Sequence, residues 1–136
     1  MKKIYILIIC VVLLLAACDD NVYYWEFSHE VEYVKEIMIV EMHDEYDYSI
    51  IKEIDPEFSD ELYSDVKALK MKKYGTNLAS PDGLCIMIVF ENGDFDVISK
   101  KESKHYKIVD DEVLAYNSWL CCDKSEFDAL INKYSV

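Results

Sequence analysis

Apolar residues recur at helical spacing in the middle of the chain. They are separated by four, four and three positions, at Phe58, Leu62, Val66 and Leu69. Asp55 and Pro56 precede them and suit the cap and first position of a helix. Acidic residues fill the first turn, lysines fill the last, and Gly75 follows. This pattern predicts an amphipathic helix over residues 57–73.

A second helix is predicted at the end of the chain. Asp123 and Glu126 have the spacing of a capping box. The apolar residues that follow share one helical face: Phe127, Leu130, Ile131 and Tyr134. The pattern predicts a helix over residues 124–135.

The remaining apolar residues alternate with polar ones or form short runs, as in β-strands. We expect strands at residues 23–28, 34–42, 48–54, 85–90, 95–98, 104–109 and 113–120. Asn92-Gly93 between two of them is a strong hairpin signal, and Asp110-Asp111 separates the last two. The run 85–90 is apolar throughout, so this strand should be central and covered on both faces.

The order of these segments predicts an α+β fold. Strands, a helix, further strands and a helix follow one another with hairpin connections, which favours a largely antiparallel sheet with two helices packed on one face. Because no repeat or Gly/Ser-rich linker interrupts the chain, we expect a single domain over residues 23–136.

The first residues have the layout of an export signal. Lys2 and Lys3 precede an uncharged, mostly aliphatic run over residues 4–17. That run is shorter than the roughly 20 residues that a membrane-spanning helix needs. Its end, Leu15-Ala16-Ala17-Cys18, resembles the lipobox of bacterial lipoproteins. The remainder of the chain is similar to other small lipoproteins but carries the motif of no named family.

The lipobox resemblance implies a cellular location for the protein. In that class the cysteine, here Cys18, receives a diacylglycerol and residues 1–17 are removed. The resemblance therefore implies a lipidated Cys18, a tether over residues 18–22 and a domain held on the cell membrane, outside the cytoplasm. The alternative is an ordinary secretory signal in which Cys18 is incidental.

Charge narrows the range of partners. The whole chain has 14 basic and 27 acidic residues, a net charge of −13, and removal of Lys2 and Lys3 makes it −15. Phosphates and anionic lipids would be repelled, so nucleic-acid binding is not expected and the acyl chains must attach the protein to the membrane. Either the acidity serves solubility alone, or it attracts a cationic protein or peptide.

Aromatic residues could provide the apolar part of such a binding surface. Tyr23, Tyr24 and Trp25 stand next to the tether, and Tyr116 and Trp119 lie near the last helix. A core role for most of the aromatic residues is the competing interpretation.

Three cysteines remain after processing: Cys85, Cys121 and Cys122. Outside the cytoplasm one disulfide could join Cys85 to either of the others, since a bond between adjacent cysteines is strained. Alternatively all three stay reduced and pack as small apolar residues. No local motif pairs a cysteine with a histidine, so a Cys-His hydrolase is not favoured.

The densest polar cluster comprises Glu41, His43, Asp44, Glu45 and Asp47, and Glu41, His43, Asp44 and Asp47 are its candidate metal ligands. It lacks the spacing of any defined metal loop, and we interpret it as a solvated hairpin turn. Phosphate-binding loops and hydrolase motifs are absent from the sequence, so no cofactor is expected and an enzyme is less expected than a binding module. The alternatives are an envelope protein that binds a small ligand or cation, and a hydrolase of unrecognised family.

Overall fold

Seven strands and two helices form the part of the chain that the computed structural model describes, residues 22–73 and 80–136. In chain order they are the 3-10 turn Val31–Tyr33, β1 (Val34–Met42), β2 (Tyr48–Glu53), the 3-10 turn Pro56–Phe58, α1 (Ser59–Ala68), β3 (Met71–Lys73), β4 (Gly83–Phe90), β5 (Phe95–Ile98), β6 (Ser103–Val109), β7 (Glu112–Cys122) and α2 (Lys124–Ser135).

The strands form one antiparallel sheet in the order β2-β1-β4-β5-β6-β7-β3. The predicted α+β fold is therefore confirmed. Strand β4 lies between β1 and β5, and its buried side chains alternate between two apolar clusters on opposite faces of the sheet. The central position predicted for residues 85–90 is also confirmed.

Both helices pack on the same face of the sheet. Leu62 and Val66 of α1 and Phe127 of α2 are fully buried there against Ile37 and Ile88. The smaller cluster on the other face consists of Met38, Val40, Met42, Cys85, Met87, Val97 and Tyr106. Burial of this apolar surface contributes most of the free energy that favours folding.

Helix α2 confirms the predicted range, and the Asp123 side chain accepts hydrogen bonds from the backbone at its first turn. The prediction for residues 57–73 is wrong at both ends. The segment Pro56–Phe58 is a 3-10 turn, and α1 ends at Ala68. Met71 instead pairs with β7 and is 1% exposed, so strand pairing and burial outweigh the helical pattern. Gly75, expected to close the helix, lies outside the described residues.

The strand predicted at residues 23–28 is also wrong. Only Tyr23 forms a bridge, to Met71, because Trp25 and Ser28 turn aside to bond the carboxylate of Asp96. The other predicted strands are present. A hairpin turn is present at Asn92-Gly93, but its form is the longer one: the Gly93 N–H bonds the Phe90 carbonyl oxygen at 2.9 Å, so the turn is centred on Glu91 and Asn92, and Gly93 follows it with a φ of +94°.

Neither of the described helices is long and apolar enough to cross a bilayer. Residues 1–21, which include the predicted signal peptide and Cys18, lie outside the described residues.

Candidate functional site

A fully buried carboxylate, Asp96, organises the polar centre of the helix-bearing face. Its Oδ2 accepts hydrogen bonds from Trp25 Nε1 at 3.1 Å and from the Ser28 backbone N–H at 2.9 Å. Its Oδ1 lies 2.5 Å from Ser28 Oγ and 2.9 Å from His105 Nδ1. The Trp25 ring stacks on His105 with centroids 4.3 Å apart. These contacts fix the N-terminal segment over the sheet.

The sheet register explains how these groups meet. Asp96 of β5 pairs with His105 of β6, so their side chains share one face. A buried carboxylate is tolerated only when its oxygens are satisfied, and residues 25–28 provide the missing donors. The segment therefore leaves strand geometry in order to satisfy Asp96.

A second carboxylate, Asp94, connects three parts of the fold. One oxygen lies 2.9 Å from His29 Nε2 and accepts from Asn92 Nδ2, while the other accepts from the Ile108 backbone N–H at 3.0 Å. Burial raises the pKa of Asp94, but these hydrogen bonds lower it by more, so its pKa lies below the usual range. Asp94 thus ties the β4–β5 turn and the N-terminal segment to the outer part of β6.

Ser28, His105 and Asp96 are the residue types of a hydrolytic triad, but their geometry differs from one. Ser28 Oγ lies 3.0 Å from His105 Nδ1, the same nitrogen that contacts Asp96. A triad needs the serine and the acid on opposite ring nitrogens, so that the base can take a proton from the serine while the acid orients it. This trio orders the N-terminal segment and lacks the arrangement for proton relay.

A shallow pocket of about 290 Å³ opens beside the trio. It is lined by Glu26, Phe27, Ser28, His105, Lys107 and Tyr116. Lys107 Nζ lies 5.5 Å from the centre of the Tyr116 ring, a cation–π distance. The pocket offers both charge signs and two aromatic walls to a small polar molecule.

The hairpin of β6 and β7 exposes apolar residues on both of its faces. Their exposed fractions lie between 38% and 46%, and we call them the hairpin surface: Ile108, Val109, Val113, Leu114 and Tyr116. Its tip carries the exposed acids Asp110, Asp111 and Glu112. Asp110 and Asp111 have φ angles of 51° and 63°, which a tight two-residue hairpin turn requires. The hairpin therefore combines exposed apolar side chains along its two strands with acidic side chains at its turn.

A bulge in β7 places Trp119 at the surface. Ser103 pairs with Leu120 and Lys104 with Asn117, so two residues of β7 have no counterpart in β6. Trp119 has a φ of 62°, donates its backbone N–H to the buried Glu102 carboxylate at 3.3 Å, and is 43% exposed. The bulge orients an indole toward solvent.

The predicted aromatic surface divides into exposed and buried members. Tyr24, Tyr116 and Trp119 are 51%, 46% and 43% exposed, and Tyr23 is half-buried. Trp25 is 3% exposed and bonds Asp96, so its indole offers no surface to a partner. Sequence reasoning missed Asp96, whose signal was a charged residue between the apolar Phe95 and Val97.

The three cysteines of the domain are free thiols. Burial raises the pKa of Cys85 and that of Cys122 to about 12. Burial also raises the pKa of the half-buried Cys121. Thiolates are the reactive form, so these thiols are poor nucleophiles.

The polar cluster around His43 forms the turn between β1 and β2. Asp44 accepts from the backbone N–H groups of Tyr46 and Asp47 at 2.8 Å, and His43 bonds Ser49 at 2.8 Å. The exposed Glu41 precedes the turn. Among residues 22–73 and 80–136, no group of three or more acids, histidines or cysteines is positioned to hold a metal ion.

Comparison with known proteins provides no relative from which a function could be transferred. No family model matches the chain, and neither a curated protein nor a solved structure matches it significantly. Function must therefore be inferred from the residues and their geometry.

Proposed function

We propose that the protein is a lipid-anchored extracytoplasmic binding module that captures a cationic protein or peptide and catalyses no reaction itself. The hairpin surface with its acidic tip is the observation that carries this proposal. It joins apolar side chains, which supply affinity, to acids, which attract positive charge.

Charge supports a cationic partner. Without residues 1–17 the chain has a net charge of −15, which raises its encounter rate with cations and repels anionic competitors. The acids at the tip would meet such a partner first. Val109 and Leu114 then offer apolar contacts beside those acids.

The hairpin is also preorganised. Asp94 bonds the backbone of Ile108, and the Asp96–His105 contact secures the inner part of β6. A surface that is already ordered loses little entropy on binding, so its contacts contribute more to affinity.

The anchor is supported by the lipobox residues alone. We expect the chain expressed in a bacterium to be recovered in the membrane fraction, shortened by 17 residues and acylated on Cys18. Mass spectrometry of the N-terminal peptide measures both changes. A Cys18→Ser chain that is still processed and anchored would contradict the anchor.

The hairpin is tested by neutralising its tip. A variant combining Asp110→Asn, Asp111→Asn and Glu112→Gln keeps the left-handed turn, since asparagine tolerates positive φ. Capture of proteins from envelope extract is compared with the parent at low salt and at about 0.5 M salt, where exposed charges are screened. We expect captured partners to be basic, and their retention to fall with salt and with the substitutions.

The matched control removes the same charge elsewhere. Glu41→Gln, Glu53→Gln and Glu57→Gln together neutralise three exposed acids away from the hairpin. Equal loss of capture in both triple variants would mean that net charge alone matters and that the hairpin is not the binding site. Capture of acidic proteins only, or capture indifferent to salt, would refute an electrostatic partner.

A small polar ligand is the second candidate, favoured by the pocket beside Ser28 and His105. Its mixed lining suits a molecule that carries both a charge and a flat apolar part. A screen of such molecules by NMR should shift the signals of Ser28, His105 and Tyr116 together. If no compound moves these three signals as a group, the pocket does not bind this class of ligand.

A further inference from the structure

The start of the described chain lies at one edge of the sheet. Strand β3 is the last strand on that side. Tyr23 bridges to it, with its N–H 3.1 Å from Met71 O and its carbonyl oxygen 2.8 Å from Met71 N. Val22 and Tyr24, on either side of the bridge, are 52% and 51% exposed.

Aromatic and basic residues gather at this edge, and we call this set the membrane edge: Tyr23, Tyr24, Lys72, Lys73 and Trp119. Lys73 Nζ lies 5.3 Å from the centre of the Tyr23 ring. Lys73 also pairs with Leu120, the neighbour of Trp119, so the aromatic groups flank the lysines. Hydrogen bonds from Ser125 and Glu126 lower the pKa of the nearby acid Asp123, and Lys72 is close enough to lower it further.

We propose that the membrane edge lies in the headgroup region of the bilayer that carries the lipidated Cys18. This inference rests on the proposed lipidation. Val22 is four residue steps from Cys18, so the tether reaches at most about 14 Å. The edge where Val22 lies is therefore held next to the bilayer surface by the length of the chain.

The residue types fit that location. Tyrosine and tryptophan favour the membrane interface because their rings are apolar and their polar atoms remain hydrated. Lysine extends its ammonium group toward headgroup phosphates while its stem stays in the apolar layer. Lys72 and Lys73 also place positive charge where a chain of net charge −15 would otherwise be repelled by anionic lipid.

The bulge at Trp119 supports the same location. A non-glycine residue at a φ of 62° is unfavourable. The Glu102 carboxylate accepts the backbone N–H of Trp119, and Ser118 Oγ accepts that of the next residue, Leu120, so these two hydrogen bonds hold the bulge. The fold thus maintains a strained backbone that leaves a tryptophan 43% exposed. An interfacial contact gives that exposed indole a partner.

The chain contains two tryptophans, which makes the test direct. Full-length protein is expressed in a bacterium, purified in detergent and reconstituted into vesicles of phosphatidylethanolamine and phosphatidylglycerol that contain lipids brominated near the headgroup. Emission of the parent is compared with that of Trp119→Phe, which retains only the buried Trp25. We expect the difference signal, which reports Trp119, to shift to shorter wavelength and to lose intensity with bromine.

A distal tryptophan provides the matched control. Val113 is 39% exposed near the hairpin tip, and Val113→Trp is placed in the Trp119→Phe chain. Positions 113 and 119 are six residue steps apart in β7, roughly 20 Å along the strand. We expect no bromine quenching of the introduced tryptophan.

Each outcome decides a separate point. If Cys18 is acylated and the protein resides on vesicles, but Trp119 is unquenched, the membrane edge is wrong and the anchor stands. Equal quenching at positions 113 and 119 would mean that the domain has no fixed orientation, which also overturns the inference. A Cys18 that is not acylated by mass overturns both proposals.

Discussion

Replacing Asp96 should strongly destabilise the domain, because its carboxylate holds the N-terminal segment against the sheet. The carboxylate is fully buried and is contacted by one donor from Trp25, two from Ser28 and the imidazole of His105. Asp96→Ala would leave the Trp25 and Ser28 N–H groups without an acceptor, at about 1–3 kcal/mol each. It would also leave a small cavity. We expect a loss of about 3–5 kcal/mol.

Asp96→Asn tests how much of that loss is due to charge. Asparagine keeps one carbonyl oxygen and nearly the same shape, so the cavity contribution vanishes. However, the NH2 group of its amide would replace one carboxylate oxygen and would face a hydrogen-bond donor of the network. Because hydrogen bonds to a charged acceptor contribute about 1.5–3 kcal/mol, we expect a loss of roughly 2–3 kcal/mol.

Urea unfolding followed by tryptophan fluorescence measures both losses, since Trp25 is part of the network. For a domain of this size each kcal/mol corresponds to about 4 °C in Tm, so the alanine variant should melt roughly 12–20 °C lower. Asp47→Asn, an exposed acid in the β1–β2 turn, is the control and should change stability by less than about 0.5 kcal/mol.

Non-additivity separates a network from independent contacts. Ser28→Ala combined with Asp96→Asn should cost less than the sum of the two single losses, because both substitutions act on the hydrogen bond from Ser28 Oγ to the Asp96 carboxylate. An alanine loss below about 1 kcal/mol, or strict additivity of the pair, would show that Asp96 does not hold the N-terminal segment in place.

Three other predictions address the turn, the pH dependence and the thiols. Gly93→Val should cost about 1–3 kcal/mol in urea unfolding, because valine disfavours a φ of +94°; a change of only a few tenths would mean that the turn is not constrained. The lowered pKa of Asp94 contributes stability that is present above about pH 4 and is lost as the pH falls through the lower folded pKa, so the Asp94→Asn variant should lose less stability than the parent on acidification. Curves of unfolding free energy against pH that run parallel for the two proteins would contradict this. At pH 8, Cys85 and Cys122 should resist alkylation until the chain is unfolded, and should react more slowly than Cys121, as measured by mass spectrometry. Equal alkylation rates for the three cysteines of the folded protein would show that burial does not protect Cys85 and Cys122.

Local signals predicted most of the sheet and the last helix. Gly93, Asp110 and Asp111 specify turns through their own left-handed backbone angles, so the strands that flank these turns follow from adjacent sequence. The capping residues of α2 act within one turn of the helix. Such features depend only on residues that are neighbours in the sequence.

The predictions that are wrong concern segments whose structure depends on residues distant in the sequence. Tyr23, Trp25 and Phe27 alternate like a strand, yet Trp25 bonds Asp96, which lies 71 positions away. Helix α1 stops early because Met71 pairs with β7, about 50 positions later, and no local pattern encodes that pairing. The candidate site could not be predicted for the same reason: its carboxylates acquire their partners only when the N-terminal segment folds back over the sheet.

The placement of charge ties the two proposed surfaces to one strand. Asp94, Asp96 and Glu102 are buried and serve the fold, so a count of acids overstates what the surface presents. At the surface, β7 begins beside the acidic hairpin tip and ends beside Lys72 and Lys73. If the lysine-bearing end faces anionic headgroups, the tip must point away from the bilayer, where a cationic partner meets the least competition from the membrane for its positive charge. The orientation inferred from the tether and the partner inferred from the hairpin therefore both require that β7 starts far from the bilayer and ends next to it.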